Sequence, residues 1–279
     1  MEPRIDLHIH STFSDGSKEP DEILNLVRKK KLAAFAIADH DNIGAYFEVK
    51  KLLKDGDPEA VPGMELSAGR GGEDLHILGY YMDVDSEILS RELKRFQEIR
   101  NRRGARMLKE LKKLGIDIPF EMVEEIAGRS AIGRPHVARA MVRIGAIKNM
   151  DEAFVKYIGL EGPAYVPKAN LSPRQAIELI HEAGGLAFLA HPRIAGAFRY
   201  IDELVGYGLD GIEVYHPHHY SNHVRMYAGI VKKKSILASG GSDYHGRQGR
   251  YGTIGSQPVP YKFLEAMKNK IKNRNRGLH

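Results

Sequence analysis

The sequence predicts an α/β protein with a mostly parallel sheet, and two observations carry this prediction. Short apolar segments alternate with amphipathic segments in the first third of the chain and again after residue 165. Strands that alternate with helices in this way form parallel sheets joined by crossover helices. Between these two parts, apolar residues recur at helical spacing and no strand pattern is present, which predicts a helical insertion.

The first third of the chain is expected to contain four strands and two helices. The strands are placed at 4–10, 32–40, 60–69 and 74–83, and the helices at 19–31 and 42–56. The first helix has Pro20 near its start, acidic residues in its first turn and lysines at its end, which are the usual terminal signals. Gly56 is expected to close the second helix.

The segment 85–165 is expected to form the helical insertion. Its long first helix would end at Gly115 and is followed by three shorter helices. The regularly spaced apolar residues of the long helix are Leu89, Leu93, Phe96, Met107, Leu111 and Leu114. The main domain would consist of 1–84 and 166–279. In its second part, strands are expected at 186–192, 211–217 and 235–245, and helices at 172–184, 201–208, 221–234 and about 260–272.

Composition narrows the class of protein. The 279 residues include no cysteine, which excludes disulfides, thiolate metal sites and cysteine nucleophiles. The charged start is not the pattern of a signal peptide, and no apolar run is long enough to span a membrane. We therefore expect a cytoplasmic enzyme with no membrane association and no obligate protein partner. The net charge of +6 suits an anionic substrate but does not identify one.

Potential metal ligands recur in short clusters at the ends of the expected strands. These residues are His8, His10, Asp15, Asp39, His40, Glu65, His76, His191, Asp243 and His245. Residues i and i+2 of a strand lie on one face, so His8 and His10 can face the same ion. Asp243 and His245 repeat that spacing. Histidine with carboxylate and no sulfur is the ligand mix of zinc, manganese or iron, so the sequence predicts a metalloenzyme.

The clusters follow one another as a series of motifs. They are His8-Ile9-His10-Ser11 with Asp15-Gly16, Asp39-His40-Asp41, Gly63-Met64-Glu65, His76, Ala190-His191-Pro192 and Ser242-Asp243-Tyr244-His245. This series resembles the motifs of the PHP (polymerase and histidinol phosphatase) superfamily. The resemblance implies a distorted (β/α)7 barrel, two or three divalent metal ions, and hydrolysis of a phosphate ester.

A finer resemblance concerns the insertion. Gly133-Arg134-Pro135-His136 and the segment 163–168 are similar to one PHP branch of stand-alone phosphoesterases. Enzymes of that branch remove the 3′-phosphate of nucleoside 3′,5′-bisphosphates, and some act as 5′→3′ exoribonucleases on short RNA. The resemblance therefore implies a small phosphate ester as substrate, a nucleotide above all, with short RNA as a further candidate. It also implies that the insertion caps the active site.

Carried over residue by residue, the resemblance implies three sets of metal ligands, two of which share Glu65. The sets are His8, His10, Glu65 and Asp243; Asp15, His40 and His245; and Glu65, His76 and His191. Asp39 could accept a ring N–H from a ligand histidine and orient it. Manganese, iron and zinc all suit these residues, and counting donors does not decide between two ions and three.

The expected reaction is attack on phosphorus by a hydroxide that bridges two of the ions. Catalytic roles are assigned to His191, Asp243 and His245. The group that protonates the leaving oxygen stays open between His191, His219 and a water molecule on a metal ion.

Four further residues are expected to contact the substrate. Arg134 and His136 would lie at a helix N-terminus, where free N–H groups and the helix dipole favour a phosphate. The alternative is a surface arginine at an ordinary capped helix. Lys168 is expected either to reach a second phosphate or to be solvated. His219 is assigned by the resemblance, whereas its neighbour His216 is interpreted as a surface residue.

Two other functions stay open. A histidinol-phosphate phosphatase would share the metal ligands, and the insertion around Arg134 argues against it. A non-catalytic, metal-stabilised RNA-binding module would use the basic face of the long helix, although a run of charges is usually a solvated face. That face carries Arg91, Lys94, Arg95, Arg100, Arg102, Arg103, Arg106, Lys109, Lys112 and Lys113. Such a module would bind RNA without turnover, and its binding would survive metal removal.

Overall fold

The computed structural model describes residues 2–70, 73–167, 171–246 and 252–276 of the chain. It divides the chain into two units. The α/β unit comprises Met1–Ser90 and Asn170–His279, and the helical unit comprises Arg91–Ala169. Within the described residues, no helix combines the length and the apolar character that crossing a bilayer requires.

Strands and helices follow the chain in the predicted alternation, except for two short strands, Glu59–Ala60 and Val259–Pro260, that were not predicted. The strands are β1 (Arg4–Ile9), β2 (Ala34–Ile37), β3 (Glu59–Ala60), β4 (Gly63–Arg70), β5 (Glu73–Tyr80), β6 (Leu186–Leu189), β7 (Gly211–Tyr215), β8 (Leu237–Gly240) and β9 (Val259–Pro260). The α-helices are α1 (Pro20–Lys29), α2 (Gly44–Leu52), α3 (Glu87–Lys113), α4 (Phe120–Ala127), α5 (Arg134–Arg143), α6 (Met150–Ala153), α7 (Pro173–Glu182), α8 (Ile201–Gly206), α9 (Ser221–Lys234) and α10 (Lys262–Arg276). The predicted terminal signals act as expected in α1, which begins at Pro20 and ends in basic residues.

The strands form two sheets of mixed direction. Their orders are β3-β2-β1-β9 and β4-β5-β6-β7-β8. Pairs β1–β2, β2–β3, β6–β7 and β7–β8 are parallel, as expected for crossover connections. Pairs β4–β5 and β5–β6 are antiparallel, and so is β1–β9. The prediction of a mostly parallel sheet therefore holds for four of these pairs. It fails at β1–β9, β4–β5 and β5–β6. The two residues between β4 and β5 are too few for the crossover that a parallel pair needs.

The two sheets approach each other at isolated bridges. Ile9 bridges to Tyr244 beyond β8, and His40 bridges to Glu65 of β4. Among the described residues no continuous ladder closes the strands into a ring. The distorted (β/α)7 barrel stays a prediction, while the mixed α/β class is confirmed.

Alternation along the strands builds the core of the α/β unit. In β2, Ala34 and Ala36 belong to a cluster that includes side chains from both sheets. Phe35 and Ile37 point to the opposite face, where they pack with the apolar side of α1. Side chains of a strand alternate between its two faces, so β2, which is buried on both faces, is apolar at every position.

The helical unit has its own apolar core. Met107 and Leu111 of α3 are fully buried and pack with side chains of α4 and α5. The guanidinium Nε of Arg103 donates to the Val166 carbonyl at 2.8 Å, so one predicted member of the basic face is buried. Leu114 was expected in the apolar stripe but is 44% exposed, because α3 ends one residue before it.

Candidate metal centre

The strands of the α/β unit and the segments that follow them place the predicted ligands. His8 lies in β1, Glu65 in β4 and His76 in β5, while the remaining histidines follow a strand directly or within a few residues. The donors that follow strands are His10 after β1, His40 after β2, His191 after β6, and Asp243 and His245 after β8. The structure therefore brings all nine predicted ligands, Asp15 included, into one cluster of contacts.

Glu65 lies at the centre of this cluster, and its side chain is 1% exposed. Its Oε1 is 3.0 Å from His76 Nδ1 and 3.0 Å from His191 Nε2. Its Oε2 is 3.1 Å from His40 Nδ1 and 3.3 Å from His10 Nε2. Each oxygen thus faces a different pair of histidines, which is the arrangement a bridging carboxylate needs.

A second carboxylate, Asp243, faces the two histidines of β1. Its Oδ1 is 3.4 Å from His8 Nε2 and 3.3 Å from His10 Nε2. These two nitrogens are 3.1 Å apart. Three donors from opposite ends of the chain therefore converge on one small volume.

The third carboxylate, Asp15, lies at the more exposed edge of the cluster. Its Oδ1 is 3.1 Å from His245 Nε2 and 4.0 Å from His40 Nε2. The ring of His245 is fixed by its other nitrogen, whose Nδ1–H donates to the Asp243 carbonyl at 2.9 Å. This leaves the Nε2 lone pair directed at the Asp15 side.

The donors fit divalent cations in number, type and spacing. Three groups have ligand atoms within 4.8 Å of one another: His10, Asp15, His40 and His245; His8, His10 and Asp243; and His40, Glu65 and His76. His10 and His40 each belong to two of these groups. The groups therefore overlap at different residues from the predicted ligand sets, which share only Glu65. Nitrogen and carboxylate donors without sulfur suit zinc, manganese or iron.

Burial and neighbouring charges shift the pKa values of these residues in opposite directions. Burial lowers the pKa of His10, but the neighbouring carboxylates of Asp243 and Glu65 outweigh it and raise the pKa to about 10. Burial raises the pKa of Glu65, yet the histidines around it, first His76 and His40, hold that pKa well below its usual value. Without a cation the cluster therefore holds protons that a divalent ion would displace.

The backbone is strained at two of the predicted catalytic residues. His191 has φ of 28° and Asp243 has φ of 49°, in a region that side-chain-bearing residues rarely adopt. Such conformations cost about 1–3 kcal/mol each and persist where the surroundings impose them. Two residues before Asp243, a Cβ on Gly241 would lie 2.4 Å from the His8 backbone nitrogen, so the segment after β8 approaches β1 as closely as glycine permits.

Two buried polar residues that were not predicted contact the predicted ligands. One lies in β7 and the other directly follows it. Glu213 is fully buried and accepts the Nδ1–H of His8 at 3.0 Å. The interpretation of His216 as a surface residue is wrong, because it is 1% exposed. Its Nδ1 accepts the His218 N–H, and its Nε2 lies 3.2 Å from Asp243 Oδ2.

Asp39 supports the cluster in a different way from the one suggested. It accepts hydrogen bonds from the Ser11 backbone N–H and from the hydroxyls of Ser11 and Ser14. No described hydrogen bond joins it to a histidine ring. Asp39 instead fixes the turn that follows His10.

The sequence held signals for both missed residues. Glu213 is a single acid within the apolar segment 211–215, and an acid inside a buried strand needs a polar partner. His216-Pro217 repeats, after β7, the His191-Pro192 pair that follows β6. The position of His216 directly after a strand therefore indicates burial better than the number of histidines in that loop does.

The predicted substrate contacts are divided between the two units, and one of them lies outside the described residues. His219 in the α/β unit is 7% exposed, and its Nδ1–H donates to the Val214 carbonyl at 3.0 Å. Burial lowers its pKa to about 4. Arg134 and His136 belong to the first turn of α5 in the helical unit, as predicted, and His136 Nδ1 accepts the Gly133 N–H. Lys168 lies outside the described residues.

Comparison with known proteins identifies a family and relatives that align with most of this chain. A profile of the PHP domain family matches residues 6–126. A 5′-3′ exoribonuclease of Haemophilus influenzae is 30% identical over 250 residues, covering 88% of this chain and 91% of that protein. A 3′,5′-nucleoside bisphosphate phosphatase of Chromobacterium violaceum is 32% identical over 247 residues, covering 86% of this chain and 87% of that protein. A solved structure from Bifidobacterium adolescentis, described as a metal-dependent phosphoesterase, has a TM-score of 0.84 at 26% identity and 95% coverage of both chains.

Proposed function

This chain belongs to the PHP family and is a metal-dependent phosphoric ester hydrolase, and we propose that it acts on nucleotide phosphomonoesters. The preferred reaction is removal of the 3′-phosphate from nucleoside 3′,5′-bisphosphates, with 5′→3′ trimming of short RNA as a second activity. The relatives named for these two reactions align over most of this chain.

One observation carries the proposal: the buried carboxylate of Glu65 has histidines on both of its oxygens. We propose that Glu65 joins two cation sites, one with His8, His10 and Asp243, and one with His76 and His191. Asp15, His40 and His245 would complete a further site. The contacts of 3.0–4.0 Å among these atoms support a shared cluster of donors, in which His10 and His40 each lie in two groups.

When bound, divalent ions at these donors lower the pKa of water toward neutrality and offset negative charge on the phosphate. The protein's own part is to orient the donors and to limit access of water. His8, His10 and Asp243 are buried, whereas the side chains of Asp15 and His76 are 20% and 19% exposed. We propose that the substrate approaches from this more exposed side.

The proposed geometry argues against His219 as the group that protonates the leaving oxygen. Since the pKa of His219 is about 4, its ring is neutral near pH 7, and its Nδ1–H is already donated to Val214. Nε2 of His219 is therefore an acceptor, which suits a hydrogen bond from a substrate hydroxyl rather than protonation of a leaving group. His191 and solvent water stay as candidates for that step. Arg134, His136 and Lys168 stay proposed phosphate contacts.

The test is phosphate release from adenosine 3′,5′-bisphosphate, AMP, histidinol phosphate and a 5′-phosphorylated short RNA, with manganese and with EDTA. We expect manganese-dependent release from the 3′,5′-bisphosphate and no release from histidinol phosphate. Asp243→Asn should lose this activity, while Asp202→Asn, at an exposed pair with Lys234, should keep it.

The other outcomes separate the alternatives. Preference for histidinol phosphate would assign the chain to the rival phosphatase. Shortening of the RNA would add the exonuclease activity. RNA binding that survives EDTA, without turnover of any substrate, would favour the non-catalytic module and refute the proposal.

A further inference from the structure

Strand β7 contributes none of the nine predicted ligands, yet it carries a buried carboxylate. Glu213 lies between Ile212 and Val214, and its side chain is 0% exposed. An ionised carboxylate in such a place is costly unless it is hydrogen-bonded on both oxygens. Its partners therefore indicate its role.

Both partners belong to the candidate metal centre. Glu213 Oε1 is 3.0 Å from His8 Nδ1, and Oε2 accepts the backbone N–H of His191 at 2.7 Å. In the described ion pairs, Glu213 has His8 as its partner and no lysine or arginine.

We propose that Glu213 is a positioning residue that sets the ring proton of His8 and the backbone of His191 for cation binding. This inference rests on the proposed role of both histidines as ligands. A carboxylate only accepts hydrogen bonds, so the His8 proton must lie on Nδ1. Nε2 then presents its lone pair to the side where Asp243 and Glu65 lie at 3.4 and 3.5 Å.

The second oxygen acts on a backbone that needs support. His191 adopts φ of 28°, and its N–H is the group that Glu213 Oε2 accepts. The ring of His191 reaches Glu65 Oε1 from this conformation. One side chain of β7 thus joins a ligand of β1 to a ligand that follows β6.

The same strand region contains a matched control. Asp210, just before β7, accepts from the His181 ring at 2.7 Å and from the Ala187 N–H at 2.9 Å. Its other oxygen is paired with Lys270 and Arg274, and none of its partners is a predicted ligand. Asp210 therefore has the same pair of hydrogen-bond types without any role at the metal centre.

The experiment compares Glu213→Gln with Asp210→Asn in the full chain. A glutamine can still accept the His191 N–H but presents NH2 to His8 Nδ1, which favours the proton on Nε2. We expect the affinity for Mn²⁺ and Co²⁺, measured by chelator competition, to fall about 10–100-fold in Glu213→Gln. The visible spectrum of the Co²⁺-loaded protein should also change. Asp210→Asn should lose stability but keep the wild-type affinity and spectrum.

Two results would overturn the inference: wild-type affinity and spectrum in Glu213→Gln, or an equal loss of affinity in Asp210→Asn. If Glu213→Gln does not fold, long-range ¹H–¹⁵N spectra of the Zn²⁺-loaded wild type decide, since the His8 proton must be found on Nδ1. A proton on Nε2 refutes the inference. If the wild type binds no divalent ion, the proposed function fails together with it. If the wild type binds ions and hydrolyses the phosphate ester, but Glu213→Gln keeps its cation affinity and spectrum, only this inference fails.

Discussion

The helical unit buries an apolar core, whereas the α/β unit buries a cluster of histidines and carboxylates beside its apolar core. Met107, Leu111 and Met141 are fully enclosed by other apolar side chains in the helical unit. In the α/β unit, His8, His10 and Glu65 are equally enclosed but surround one another. Burial of polar groups is unfavourable without partners, so the second arrangement is expected where a ligand completes it. The difference separates residues that hold the fold from residues that we propose bind cations.

The largest effect is expected at the centre of the polar cluster. Glu65→Gln removes the charge that five histidines share, so activity should fall about a thousand-fold, the equivalent of about 4 kcal/mol. Bound metal, measured by elemental analysis, should fall with it. Glu48→Gln, at an exposed pair with Lys51, is the control and should change neither. Full activity in Glu65→Gln would remove the distinction between the two units.

A large effect of a different kind is expected in the apolar core. Leu111→Ala should lower the free energy of unfolding by about 2–5 kcal/mol, because it leaves a cavity among α3, α4 and α5. Urea denaturation measures the loss. Leu114→Ala, at a 44% exposed side chain, should change stability by about 0.5 kcal/mol or less. Metal affinity should stay unchanged in both variants, and a loss in Leu111→Ala would show that the apolar core also sets the ligand geometry.

Metal removal should affect the two units unequally. An ion present at 100 times its dissociation constant adds about 2.7 kcal/mol to the stability of the state that binds it. After chelation, we expect faster amide hydrogen exchange at Leu189 and Ile212 and unchanged exchange at Leu111 and Val137. Equal acceleration at all four positions would contradict the assignment of metal binding to the α/β unit alone.

The smallest effect concerns a glycine in each unit. Gly104 lies within α3, and a Cβ there would meet Ile132 Cγ2 at 2.4 Å. Gly104→Ala should therefore destabilise by about 1–3 kcal/mol, although alanine is the better helix former. Gly229 in α9 has no atom within 4 Å of such a Cβ, so Gly229→Ala should stabilise by about 0.5–1 kcal/mol. Thermal unfolding of both variants checks the opposite signs.

Local patterns predicted the elements and the cluster well, for physical reasons. Apolar periodicity and terminal signals depend on neighbouring residues, so α1 and α3 lie where they were expected. The PHP resemblance is confirmed, and the residues of its motifs lie together in the α/β unit. The assignment of individual ligands to ions stays a prediction.

Sequence patterns did not predict contacts between residues that are far apart in the chain. Glu213 and His8 are separated by 205 positions, and only the pairing of strands brings them together. The antiparallel pairing of β5 with β6 is of the same kind, because the whole helical unit lies between these strands in the sequence. His216 was misjudged because a histidine-rich loop resembles a polar surface.

The β4–β5 pairing gives the register of one hairpin a chemical meaning. Glu65 pairs with Leu78, and Ser67 pairs with His76, so both donors lie diagonally on the same face. A slip of one residue would turn an entire strand over and direct its donor to the opposite face. A chain with that error could retain its secondary structure. Cation affinity would then report a folding fault that circular dichroism cannot detect.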